Sequence, residues 1–120
     1  IYLKIFFSLV LFALLCQTKQ KDMKKLESIK AEILTLKIKE IASETDEKYQ
    51  YIERELSSKN YTFYFRMECL FSNFGGKVHF VKVEGLDILA LSSEEGDIEL
   101  ELEDLWAVED LIKGRYNAEL

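Results

Sequence analysis

Every second residue from Tyr61 to Phe71 is apolar: Tyr61, Phe63, Phe65, Met67, Cys69 and Phe71. Side chains of an extended chain point alternately to opposite faces, so this run predicts a β-strand with one aromatic face that must be covered. A lone strand or hairpin is marginal in water, which constrains the chain to a sheet with an apolar layer packed on it. Cys69 falls on the covered face and is expected to pack as a small apolar group rather than act as a reactive thiol.

The rest of the second half supplies the partner strands. Ser72, Asn73, Phe74, Gly75 and Gly76 predict a turn, and Lys77 to Glu84 (KVHFVKVE) the returning strand of a hairpin. Gly85 is expected to break that strand, Leu86 to Leu91 (LDILAL) to form a third, and Ser92 to Asp97 to turn into a fourth. In that fourth strand Ile98, Leu100 and Leu102 alternate with Glu99, Glu101 and Glu103, which predicts one buried face and one wall of carboxylates.

Helical spacing flanks the sheet. Leu26, Ile29, Ile33 and Leu36 recur at intervals of three and four, with charged residues between them. A second stripe, Ile38, Ile41, Tyr49, Ile52 and Leu56, is rotated from the first, and Ser43, Thr45 and Asp46 lie near the junction as residues suited to a helix start. Residues 22–57 are therefore expected to form one bent helix or two helices, ended by Ser57 to Asn60. Leu105, Val108, Leu111, Ile112 and Tyr116 predict a C-terminal helix over residues 104–116.

The expected fold is α+β: a helical part (22–57), a four-stranded antiparallel meander (61–103) and a C-terminal helix, in one domain spanning residues 17–120. This order of elements is similar to that of cystatin-like folds, in which a helix packs across an antiparallel sheet; the resemblance is architectural and brings no motif with it. With 48% apolar and 32% charged residues, no proline and only five glycines, the composition argues against disorder and against a flexible linker.

Residues 1–16 (IYLKIFFSLVLFALLC) are set apart from this pattern. Between Ile5 and Leu15 only Ser8 is polar, and the run gives way at once to QTKQKD. It fits a signal-peptide hydrophobic region and is short for a spanning helix, which needs about 20 apolar residues. A cysteine closing such a run resembles the signal of bacterial lipoproteins, which implies lipidation of Cys16 as the first mature residue, although Leu14 and Leu15 stand where that signal carries small residues. Three readings stay open: a lipoprotein-type signal, another signal peptide or short uncleaved anchor, and an N-terminal helix buried in its own domain. A chain that opens on isoleucine is expected to be a fragment at this end, and a further domain could follow Leu120. If Cys16 is lipidated or removed, Cys69 is left without an intramolecular disulfide partner.

Charge narrows the partners. Residues 17–59 carry ten Lys/Arg against nine Asp/Glu, whereas residues 60–120 carry five against thirteen. The second half repels phosphate backbones, so nucleic acid is disfavoured and a basic partner or a cation is favoured. Seven carboxylates fall between Glu94 and Asp104. Glu99, Glu101 and Glu103 on one strand face could offer oxygen ligands to calcium, but EF-hand spacing is missing, and a solvated edge that resists sheet-to-sheet pairing is the simpler expectation.

Candidates for catalysis are few. His79 is the sole histidine and is expected on the exposed side of its strand, and there is no glycine-rich phosphate loop, HExxH, CxxC or GxSxG. No catalytic, cofactor-binding or metal-binding residue is assigned. Tyr64 lies on the face opposite Phe63 and Phe65, and Phe74 sits in a turn; with Glu99, Glu101 and Glu103 they form the expected contact surface. Asn60-Tyr61-Thr62 is an N-x-T sequon, relevant only in a eukaryotic secretory pathway.

Two functions are expected. One is a small exported, lipid-anchored or otherwise membrane-associated, non-enzymatic binding or structural protein of the cell envelope, whose partner is a protein or other envelope component. The other is a soluble intracellular interaction protein, in which residues 1–16 belong to the core or an interface and the acidic sheet face meets a basic partner.

Overall fold

The computed structural model describes residues 24–118; the expected address at residues 1–16, Cys16 included, lies outside them. The architecture is α+β. Helix α1 is described over residues 24–33 and is followed by an irregular connection to residue 48. Strands β1 (Tyr49–Ser57), β2 (Tyr61–Phe74), β3 (Lys77–Ser93) and β4 (Gly96–Asp97) form one antiparallel sheet in sequential order, and α2 (Leu102–Ala118) closes the domain.

The stripe of Tyr49, Ile52 and Leu56, expected on a helix, belongs to a strand instead. The segment YQYIERELS satisfies period two as well as helical spacing, because Gln50, Ile52, Arg54 and Leu56 turn inward while Tyr49, Tyr51, Glu53, Glu55 and Ser57 are exposed. Pairing with β2, from Tyr49 opposite Leu70 to Ser57 opposite Thr62, decides between the two periods. Ser57 to Asn60 thus turn a hairpin and do not end a helix.

The second correction concerns β3, which runs unbroken for 17 residues through Gly85 and unites the two strands expected on either side of it. It pairs with the 14-residue β2 and is three residues longer, one for each register shift, at Val81, Glu84 and Leu89. Each shift places two β3 residues opposite one of β2, so the inward residues become Val78, Phe80, Val83, Leu86, Ile88 and Leu91. Bulges of this kind bend a strand and increase its twist, which curls the sheet around the helices. Gly75 and Gly76, with φ of 64° and 78°, make the two-residue β2–β3 turn, a left-handed pair whose twist matches that of the flanking strands.

The expected fourth strand does not form at residues 98–103: β4 is only Gly96–Asp97, inside the expected turn, paired with Ser92 and Ser93. Ile98 and Leu100 still pack against the core, but Leu102 opens α2 and is exposed. The core joins Ile29 and Ile33 of α1, Leu36 and Ile41 of the connection, the inward residues of the sheet, and Val108, Ile112 and Tyr116 of α2. Phe65 meets Tyr116 edge-on at 6.0 Å, and Phe71 meets Phe80 at 5.8 Å. Among the described residues no helix is long and apolar enough to cross a membrane.

Candidate functional site

Polar side chains on the helices secure the ends and bends of the sheet. From α1, the Glu32 carboxylate accepts hydrogen bonds from the Ser58 hydroxyl and from the backbone and side-chain N–H groups of Asn60, each at 2.8 Å. Desolvation pushes this carboxyl up, but the bonds from Asn60 and Ser58 and the charge of Lys59 outweigh it and hold it below the ordinary range. The Asn60 side chain of the sequon is thereby engaged. From α2, the Arg115 guanidinium donates to the Ile33 and Leu36 carbonyls at 2.7 and 2.8 Å, joining the two helices where α1 ends.

Two β3 bulges are tied to α2. The Asn117 amide accepts from the Val83 N–H at 2.9 Å and donates to the Val83 carbonyl at 3.2 Å, the two-point contact that a neighbouring strand would make. Glu109 accepts from the Ile88 N–H at 2.7 Å. Since β4 pairs only with the end of β3, these side chains satisfy backbone groups along an edge that no strand covers. Burial pushes the Glu109 carboxyl up; the bond from Ile88 opposes this, and the charges of Asp87 and Asp110 add to the rise.

From β1, buried Gln50 secures the connection in the same way. Its Oε1 accepts from the Glu44 N–H, and its Nε2 donates to the Thr45 and Glu47 carbonyls at 2.9 and 2.8 Å, which folds residues 43–47 around one amide. Beside this loop lies a cleft of about 830 Å³ lined by residues 38–43, Val78, His79, Phe80 and Tyr116. Burial pushes the Tyr116 hydroxyl up to about 12. Cys69 is fully buried and free, and desolvation pushes its thiol up to about 11, as suits a packed group.

The residues expected to form one contact surface are dispersed. Phe74 is 80% exposed at the tip of the β2–β3 hairpin. Tyr64 is half-buried, and its hydroxyl donates to Glu53, a bond that together with nearby negative charge raises the hydroxyl's pKa. Glu99 and Glu101 are exposed on the link before α2, whereas Glu103 lies in the first turn of α2, where a carboxylate complements the helix dipole. The three do not share a strand face, because the strand ends at Asp97. Among the described residues no group of three His, Cys, Asp or Glu side chains could hold a metal ion.

Other exposed side chains stand out beside them. Tyr49 and Tyr51 project from the outer face of β1, with the Arg66 guanidinium 5.6 Å from the Tyr51 ring centre. Trp106, the single tryptophan, is 54% exposed on α2, and Leu102 one turn earlier is 58% exposed. Trp106 borders a groove of about 400 Å³ between α2 and β3, floored by Gly85 and Leu86 and flanked by Asp87, Glu109, Asp110 and Lys113. The sequence carries a signal for this site: Trp106 follows Leu105 and so lies about 100° round the helix from the apolar stripe. A tryptophan off the buried face of its own helix is available for contact. Comparison with protein-family models, curated proteins and solved structures gave no match.

Proposed function

We propose that this chain is a small exported, membrane-tethered, non-enzymatic binding protein of the cell envelope, held through residues 1–16 or a lipid on Cys16. Its cystatin-like outline, expected from the order of elements, is part of this proposal and carries no function of its own. The observation that supports binding is the set of large aromatic side chains, Tyr51, Phe74 and Trp106, left more than half exposed on regular elements. Such side chains anchor interfaces when a partner desolvates them. Catalysis has weaker support: the Cys69 thiol is buried and pushed up, and His79 stands exposed on β3.

The intact mass of the protein recovered from its native host tests this reading. Loss of residues 1–15 together with added acyl mass on Cys16 is the expected result. An unprocessed chain in the soluble fraction would overturn it and favour the intracellular interaction protein with a basic partner.

A further inference from the structure

We propose that the groove between α2 and the bulged stretch of β3 docks a protein segment bearing an apolar side chain flanked by lysine or arginine, with Trp106 as the anchor. This rests on the binding reading above and gives the partner a chemistry. Trp106 and Leu102 lie one turn apart on the same flank of α2, both more than half exposed, and Leu86 lies at the floor of the groove between Trp106 and β3. An exposed indole next to an exposed leucine on one helix flank is the kind of feature that carries much of the binding energy of an interface.

Charge complementarity selects the occupant. Of the ionisable residues lining the groove, three are carboxylates, Asp87, Glu109 and Asp110, and one is a cation, Lys113; Arg66 pairs with Asp87 at 4.0 Å, and the balance with both cations counted is still negative. Glu99, Glu101 and Glu103 extend the negative field along the approach to Leu102. A cationic segment gains from this field, whereas an acidic peptide or an anionic bilayer is repelled.

Because Trp106 is the single tryptophan, its emission reports on this groove alone. The full chain is titrated with a short leucine/lysine peptide, with its leucine/glutamate counterpart and with anionic lipid vesicles. The expected result is a saturable blue shift with the leucine/lysine peptide only, weakened by added salt. Anisotropy of the labelled peptide then shows affinity falling by about tenfold or more in Trp106→Ala, and falling also in Asp110→Lys. Glu94→Lys on the β3–β4 turn, away from the groove, stays within about twofold. An equal response to the leucine/glutamate peptide, a stronger response to vesicles, undiminished binding by Trp106→Ala, or no saturable response would each overturn the proposal. Processing at Cys16 is read separately by mass, so either proposal can fall while the other stands.

Discussion

Strands β2 and β3 lie side by side along their whole length but reach the core by different means. In β2 the inward residues keep strict period two from Tyr61 to Phe71, and the strand is paired on both edges, by β1 and β3. β3 has a strand on one edge for most of its length, interrupts its period three times, and relies on Asn117 and Glu109 of α2 for backbone partners. The difference teaches where the curl of the sheet is stored: β2 supplies packing, while β3 supplies three bends, two of them tied to α2. It also explains why an open edge next to Trp106 is not a free strand edge. On either side of the groove the Val83 N–H and carbonyl and the Ile88 N–H are already engaged by α2 side chains.

Truncating the packed strand gives the largest expected effect. Phe65→Ala removes a fully buried ring that meets Tyr116 edge-on, and should cost about 3–5 kcal/mol of unfolding free energy in urea denaturation. Leu89→Ala, at a bulge and 47% exposed, should stay within about 0.5 kcal/mol. Comparable losses at the two positions would mean that Leu89 packs as a core residue and that β3 does not bulge there.

Asn117→Leu addresses β3 directly and should have an intermediate effect. It leaves the buried Val83 residue with an N–H and a carbonyl that have lost their side-chain partner, at a cost of about 1–3 kcal/mol. The distinguishing readout is amide hydrogen exchange: Val83 should lose protection while amides in the middle of β2 keep theirs relative to global stability. Uniform loss of protection would show that α2 holds β3 only as part of the whole fold.

The two strands were also unequally legible in the sequence. β2 was readable because one period governs it from end to end. β3 was not, since its inward residues Val78, Phe80, Val83, Leu86, Ile88 and Leu91 are spaced by two or three, and a glycine at the centre mimics a break. β1 was ambiguous because YQYIERELS fits both helical and strand spacing, and only pairing with β2 chooses. The wall of carboxylates dissolved for a related reason: Leu102 continues the alternation of Ile98 and Leu100, but it starts α2. Of the expected contact residues, Phe74 and the exposed glutamates were readable as surface; Trp106 was not among them, and its only signal is a large side chain off its helix's apolar stripe.

The smallest effects, and those that sharpen the comparison most, concern the two carboxylates that serve opposite sides of the sheet. Glu32 holds the β1–β2 turn and titrates below its ordinary value of 4.5; Glu109 holds the β3 bulge at Ile88 and titrates above it. For Glu32 the unfolded chain binds the proton more readily. Its contribution to stability is therefore full above 4.5 and is lost as pH falls through the lower folded-state value. For Glu109 the folded chain binds the proton more readily, so its contribution is full below 4.5 and is lost as pH rises through the higher folded-state value. Glu32→Gln should flatten the acid side of the stability profile, and it sets an amide N–H₂ among the donors of Ser58 and Asn60. Glu109→Gln keeps a carbonyl oxygen for the Ile88 N–H and should remove a loss of stability on the neutral side, leaving the variant as stable as the parent or slightly more so at pH 7. Unfolding midpoints across pH 3 to 7, a span set by carboxylate titration, check both signs. Slopes that change in the same direction in the two variants would show that the β3 side is no more desolvated than the β1–β2 turn, and that the bulge is held in water, not against α2.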